Sequence, residues 1–296
     1  EVCVIFPENR PVLMLPGIRI FPVMFSTGKA SWSSLPFNFP CFTTHPQSRT
    51  TFADLSSGEL AQYLTLFSSV LRQAVREFQP DVIVGVGGDN AMSAAKALLA
   101  LYGDPDLDLA AAAADPARIP ACAKAKLVLI ATNFSSGSQN SPFAILKGEE
   151  GQAIVLKSIH LLPEISVTDA DFTAGLTAEQ VRTCGLKSLS HAVRAYLDPD
   201  CTELTAGMLT EAIAAVLKYT GRAMNGSPSA REKLHNAAAL AGASYGNVVD
   251  AITPDLPYFP TEEEIAVSDN DVRCAELAEC LGFAGCRDFF SACQSV

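Results

Sequence analysis

From Ser56 to Phe78 apolar side chains recur at spacings of three and four (Leu60, Tyr63, Leu64, Phe67, Leu71, Val75, Phe78), which predicts an amphipathic helix. Gln79-Pro80 ends it, because a residue before proline is pushed out of the helical region. The next run, Asp81 to Gly85, has a β-branched apolar core and predicts a strand; Gly87 and Gly88 follow as a tight turn, then an Ala-rich helix from Asn90 to Tyr102. Past the acidic turn G-D-P-D-L-D and an Ala-rich segment, Lys126 to Ala131 predicts a buried strand, Ala144 to Leu156 a hairpin around Gly148 to Gly151, and Ile165 to Val167 a short strand. Strand and helix alternate, so a parallel sheet with covered faces is expected.

Beyond Asp169 the pattern turns helical: Thr177 to Tyr196, Cys201 to Tyr219, Ser229 to Tyr245 and Asp269 to Leu281. The expected division is therefore an α/β domain over 1–168 and a helical domain over 169–296. Residues 1–55 are the least regular part of the first. Val2 to Phe6, Val12 to Leu15 and Ile18 to Phe25 read as short strands broken by prolines, and Ser26 to Pro46 as an irregular segment with Trp32, Phe37, Phe39 and Phe42 as anchors. Those aromatics either pack on the sheet or dock a partner.

Composition narrows the function classes. With 49% hydrophobic residues and 18% charged ones, the chain is built to bury a large core. A net charge of -11 argues against nucleic acid or an anionic membrane as partner, since either needs a clustered basic patch. No apolar run is long enough to span a bilayer. The nine cysteines contain no C-x-x-C pair or zinc-ligand spacing, so buried reduced thiols are expected. Cys274, Cys280, Cys286 and Cys293, six or seven residues apart, read as a small-residue seam. The chain starts at Glu1, which is compatible with a removed leader and with the cytoplasm or an organelle matrix as location.

The candidate chemistry centres on Asp81 to Lys96, D-V-I-V-G-V-G-G-D-N-A-M-S-A-A-K. A strand, a glycine turn and a helix N-terminus aim backbone N–H groups and the positive dipole end at one spot, as in pyrophosphate-binding α/β folds. This stretch resembles the nucleotide loop of the iron-dependent alcohol dehydrogenases, usually P-D-x-I-I-A-x-G-G-G-S-x-x-D-x-A-K. Ala131 to Ala144, Gly185 to Tyr196 and Ser229 to Val248 resemble that family's later segments in the same order. The resemblance implies a Rossmann-like parallel sheet followed by an all-α domain, the dehydroquinate synthase-like architecture. It also implies hydride transfer between NAD(P) and a small alcohol or aldehyde. The cleft would be flanked by Gly87, Gly88, Asp89, Asn90, Thr132, Gly137 and Ser138 on the cofactor side, and by Lys187 and His191 on the metal side.

Several of these positions depart from the family's pattern. Lys187 stands where an Asp binds the metal, and an ammonium has no lone pair to offer. His191 is kept, but no histidine follows His235, so the two later metal histidines have no counterpart. The third glycine of the nucleotide loop is Asp89, a good helix cap that places a carboxylate in the anion site, and the family's Asp in that helix is Ser93. Phe134 and Ser135 replace small residues of the second loop, whose closing Glu is Gln139, so Phe134 is expected to fill the former cleft together with Asp89 and Lys187. The expectation is a non-catalytic homologue acting as a structural or accessory subunit, its partner another protein or a second copy, with no metal and no tightly bound cofactor. The alternative is an NAD(P)-dependent reductase that works without metal, with Lys187 or His191 polarising a carbonyl. Two further expectations concern extent: the helical domain is truncated relative to the family, or the sequence is a fragment whose metal histidines lie elsewhere.

Overall fold

The computed structural model describes residues 2–7, 20–25, 72, 76, 79–147, 152–248 and 272–296. The aromatic segment 26–46, the strand expected at Val12 to Leu15, nearly all of the helix expected at Ser56 to Phe78, and the start expected at Asp269 lie outside these residues.

Five parallel strands form the main sheet: β1 (Val2–Pro7), β2 (Ile20–Phe25), β3 (Val82–Gly87), β4 (Lys126–Ala131) and β7 (Ile165–Thr168), in the order β2-β1-β3-β4-β7. β3 and β4 are in register from Val82 against Lys126 to Gly87 against Ala131, and β4 continues the register into β7 from Val128 against Ile165. An antiparallel hairpin, β5 (Phe143–Lys147) and β6 (Ala153–Lys157), stands apart from the sheet. Between the two lies helix α1 (Asp89–Gly103), buried from Ala91 to Tyr102, which is why its sequence is apolar all round apart from Ser93 and Lys96. Ser93, at the family's Asp position, accepts from the Ile145 amide at 3.1 Å and so joins α1 to the hairpin. The Ala-rich segment after the acidic turn forms α2 (Leu109–Ala114), capped by Asp108, whose carboxylate accepts from the Ala110 and Ala111 amides.

Three long helices make the second part: α3 (Ala178–Leu197), α4 (Glu203–Met224) and α5 (Pro228–Val248), each packed on the other two. Thr177 and Gln180 close a capping box at the start of α3, and Thr202 caps α4. Among the described residues two short helices follow, α6 (Val272–Cys280) and α7 (Cys286–Gln294), with Phe289 and Phe290 in the helical core. Arg273 donates to the carbonyls of Tyr196, Asp198, Pro199 and Cys201, fixing α6 to the end of α3, where exposed carbonyls favour a cation.

The four C-terminal cysteines do not form one seam. Cys274, Cys286 and Cys293 are buried on two helices, whereas Cys280 is exposed. Among the described residues no cysteine forms a disulfide. Among the described residues no helix is long and apolar enough to cross a membrane.

Candidate functional site

Strand β3 ends at Gly87, and Gly88 is the N-cap of α1 with no side-chain cap, which leaves Asp89 at the first helical position. The capping role that the sequence suggests for Asp89, accepting from the first N–H groups of the helix, is not the one it takes. Its carboxylate turns toward the loop after β4 and toward α3. Oδ2 accepts from Ser135 Oγ at 2.9 Å and from Lys187 Nζ at 2.6 Å, while Oδ1 accepts from Ser136 Oγ. Burial alone would raise the Asp89 pKa, but the Lys187 charge and the three donated hydrogen bonds hold it below the usual carboxylate range. The ion pair at 2.6 Å therefore joins two substituted positions that lie far apart in sequence.

The other candidate residues fall around this pair in different ways. Thr132 reaches Gly87 through its amide at 3.0 Å, so the two loops leave the sheet side by side. Asn90 is exposed on the first turn of α1. Ser138 is buried; its amide donates to Ser136 Oγ at 3.2 Å and its carbonyl accepts from Lys96. Phe134, expected to crowd the cleft, is instead packed in the helical core, its ring 6.5 Å from that of His235. Of Ser135, Ser136 and Lys96, the sequence marks the first as a departure and the last as the end of the loop motif, and assigns none of the three a bonding role. The doubled serine in T-N-F-S-S-G-S was the available signal for two of them.

Lys96 is fully buried, and its ammonium donates to the carbonyls of Ser138 at 2.7 Å, Ser141 at 2.6 Å and Phe143 at 2.7 Å. The same loop is pressed on α5. Gly137 has φ 64°, the left-handed region that glycine tolerates, and its carbonyl oxygen lies 2.1 Å from where a Cβ on Gly242 would stand. Loop, α1 and α5 thus form one packed unit.

Along α3, Cys184, Lys187 and His191 follow one another at helical spacing on a single face. The His191 ring stacks on Tyr245 of α5 with centroids 5.0 Å apart and planes inclined by 15°. Its Nδ1 is buried without a hydrogen-bond partner. Burial first, then the neighbouring Lys187 and Arg194 charges, push its pKa down to about 4, against the opposing pull of Asp89. His235 is buried on α5 and also shifted down by burial, and His160 is exposed beyond β6. His45 lies outside the described residues.

Two family models match this chain: one described as iron-containing alcohol dehydrogenase over residues 69–170, and one for the C-terminal part of that family over residues 181–261. The chain belongs to the iron-containing alcohol dehydrogenase family. Among similar proteins, aldehyde-alcohol dehydrogenase 2 of Entamoeba histolytica is 34% identical over 179 residues, which is 57% of this chain and 21% of that protein. An alcohol dehydrogenase of Thermococcus barophilus is 33% identical over 179 residues, covering 58% of this chain and 47% of the relative. The match thus spans less than half of either relative. Among solved structures, the iron-containing alcohol dehydrogenase of Thermococcus thioreducens superposes with a TM-score of 0.74 at 20% identity, covering 99% of this chain and 77% of that one. Sulfoacetaldehyde reductase from Bifidobacterium kashiwanohense, solved in complex with NAD+, superposes with a TM-score of 0.68 at 18% identity, covering 77% and 65%. These likenesses establish the shared fold.

The family's name implies iron, and the residues on α3 do not fit it. Lys187 sets its ammonium against the Asp89 carboxylate, where a cation would need lone pairs, and that carboxylate already accepts three hydrogen bonds. His191 is a neutral imidazole and could ligate, but a cation stands one turn away, and among the described residues no group of three His, Cys, Asp or Glu side chains completes a ligand set.

The low His191 pKa has a consequence for stability. The unfolded imidazole takes up a proton near pH 6.5 and the folded one near pH 4, so over that window the unfolded state binds more protons and stability falls as pH falls. The loss between pH 7 and pH 4 is expected to be about 3 kcal/mol. In denaturant melts the wild type should lose about that much more stability on acidification than His191→Phe, which keeps an aromatic stack on Tyr245. Parallel melts at every pH would show that His191 is not the group responsible.

Proposed function

We propose that this chain is a non-catalytic member of the iron-containing alcohol dehydrogenase family that serves as a structural or accessory subunit, either in an assembly with other proteins or with copies of itself. The observation that carries the reading is the Asp89–Lys187 ion pair at 2.6 Å. It uses the position that faces a cofactor's pyrophosphate and the position that faces a metal to satisfy each other. With Ser135 and Ser136 also donating to Asp89, an incoming dinucleotide would meet a carboxylate and donors already in use. Gly87, Gly88, Asp89, Asn90, Thr132, Gly137 and Ser138 are on this reading the walls of a former cofactor cleft, and Lys187 and His191 those of a former metal site. The cleft lies between an α/β domain over 1–168 and a helical domain over 169–296.

The names of the relatives favour a second reading. Proteins called alcohol dehydrogenase and NADPH-dependent butanol dehydrogenase share this family's sequence pattern, which would make the chain an NAD(P)-dependent reductase acting through Lys187 or His191. Titration of the purified protein with NADH and NADPH, followed by cofactor fluorescence, separates the two. The accessory reading expects no saturable binding below about 1 mM, a free energy near −4 kcal/mol. It also expects no reduction of small aldehydes with or without added Fe2+ or Zn2+, and a stoichiometric protein complex in native mass spectra of a gentle extract. Saturable micromolar binding with turnover would establish the second reading in its place.

A further inference from the structure

We propose that the outer face of α4 is a surface for self-association, on which a second copy of this chain packs its own α4 antiparallel about a two-fold axis through Ala214. The inference goes beyond the accessory reading by naming the face and the partner, and it holds whatever the cleft binds.

Helix α4 turns Leu209, Ala212, Ile213 and Val216 into the helical core. Its opposite side carries Glu203, Leu204, Gly207, Glu211, Lys218, Gly221 and Arg222, all exposed, with Ala214 half-buried among them. Leu204 is 78% exposed, the highest value for a large apolar side chain among the described residues. Gly207 and Gly221 each weaken the helix relative to alanine, and a Cβ at either would meet nothing within 4 Å, so packing within the chain does not account for them. Gly207, Ala214 and Gly221 stand seven residues apart, which lines them up along the middle of the exposed face.

Charge on this face is divided by half. Glu203 and Glu211 lie on the N-terminal half, Lys218 and Arg222 on the C-terminal half, and among the described residues none of the four makes an ion pair. A face polarised in this way is complementary to itself in the antiparallel sense, whereas a parallel pair would set like charges side by side. Rotation about an axis through Ala214 sets Gly207 against Gly221 of the second copy and Leu204 against Met224. It also brings Glu211 within one turn of Lys218, and Glu203 within one turn of Arg222. Glycine facing glycine leaves room for a methyl group but not for a longer side chain. The chain's own stretch 249–271, with seven acidic and no basic residues, is the wrong complement, since it would meet repulsion over half of the face.

The twenty-two residues of α4 span about 33 Å. A single helix pair of that length buries less than the roughly 1,200 Å2 of a stable dimer, so a weak association is expected, with a Kd of roughly tens of micromolar.

The test is sedimentation equilibrium of the wild type and its variants between about 5 and 300 µM. The wild type should pass from monomer to dimer over that range. Gly207→Gln places a long side chain in the seam and should raise the Kd at least about tenfold. The same change puts a better helix former on an exposed position, so melting of the dilute monomer should be unchanged or higher, which separates a lost interface from a damaged fold. Glu211→Lys and Lys218→Glu each turn two symmetry-related attractions into repulsions and should each raise the Kd about tenfold. The double exchange Glu211→Lys, Lys218→Glu restores the pairing and should return the Kd to within about threefold of the wild type. A protein that stays monomeric over the whole range overturns the proposal, also where a different protein is found to cover the face. So does a dimer that Gly207→Gln leaves intact, or a double exchange that fails to recover the wild-type Kd. NAD(P)H binding with turnover would defeat the accessory reading and leave each of these outcomes as it is, so the two failures are distinguishable.

Discussion

Gly242→Ala is expected to lower the melting temperature by about 10 °C or to prevent folding, the response to an overpacking cost of roughly 3 kcal/mol or more. The added Cβ would lie 2.1 Å from the Gly137 carbonyl oxygen and 2.5 Å from its carbon, and both are backbone atoms with no rotamer to escape into. The approach is equally close from the loop side, where a Cβ on Gly137 would lie 1.9 Å from the Ala238 carbonyl. Pro142 meets Gly246 in the same manner one turn further along, so the loop is held against α5 at two points. Circular dichroism melts of Gly242→Ala beside Gly207→Ala, where nothing lies within 4 Å, would isolate the contact from the ordinary effect of replacing a helical glycine. The control should be stabilised by up to about 1 kcal/mol. Equal melting temperatures for the two variants would mean that the loop does not sit on α5 as described.

Lys96→Met is expected to cost about 3 kcal/mol at pH 7, because a side chain of similar length leaves the carbonyls of Ser138, Ser141 and Phe143 buried without their donor. The effect should depend on pH with a definite sign. Burial pushes the Lys96 pKa down to about 7 despite the favourable charge of Asp89, whereas the unfolded lysine titrates near 10.5. Between those values the unfolded state binds more protons, so this group makes the folded protein more stable as pH rises from about 7 to 10.5. Opposing this, a neutral amine has two N–H donors for three carbonyls, and the third loses its partner as the proton leaves. Denaturant melts of the wild type and Lys96→Met at pH 7 and pH 9.5 measure the balance. A wild-type advantage that grows with pH follows from the desolvation, and one that shrinks would mean that the three carbonyls hold the proton in place.

The elements that could be read from sequence are those whose determinants are local. Strand β4 runs from Lys126 to Ala131 as predicted, since a short apolar run between polar turns has few other places to go. Helix α4, predicted to end at Tyr219, continues to Met224, because Gly221 sits in open space on its surface and weakens the helix without breaking it. At the site, neighbours in sequence assign Asp89 a capping role, which is the only partner that local reasoning can offer. Its actual partners come from loop and helix residues brought close by the sheet order and by the packing of α3 on α5. Lys187 reads from sequence as repelling a cation, and that electrostatic argument says nothing about which anion answers it. Alignment with small residues places Phe134 in the cleft, yet a ring of that size is driven into the helical core by the apolar surface it buries.

The grip of Arg273 on the carbonyls of Tyr196, Asp198, Pro199 and Cys201 is answered at the other end of the same segment, where Arg182 Nε donates to the Val296 carbonyl at 3.2 Å. One arginine reaches from α6 to the close of α3, and the other from the opening turns of α3 to the last residue. The final helices are laced to α3 through space at both of its ends, so a nick in the backbone between α5 and α6 would leave two polypeptides that still behave as a single body.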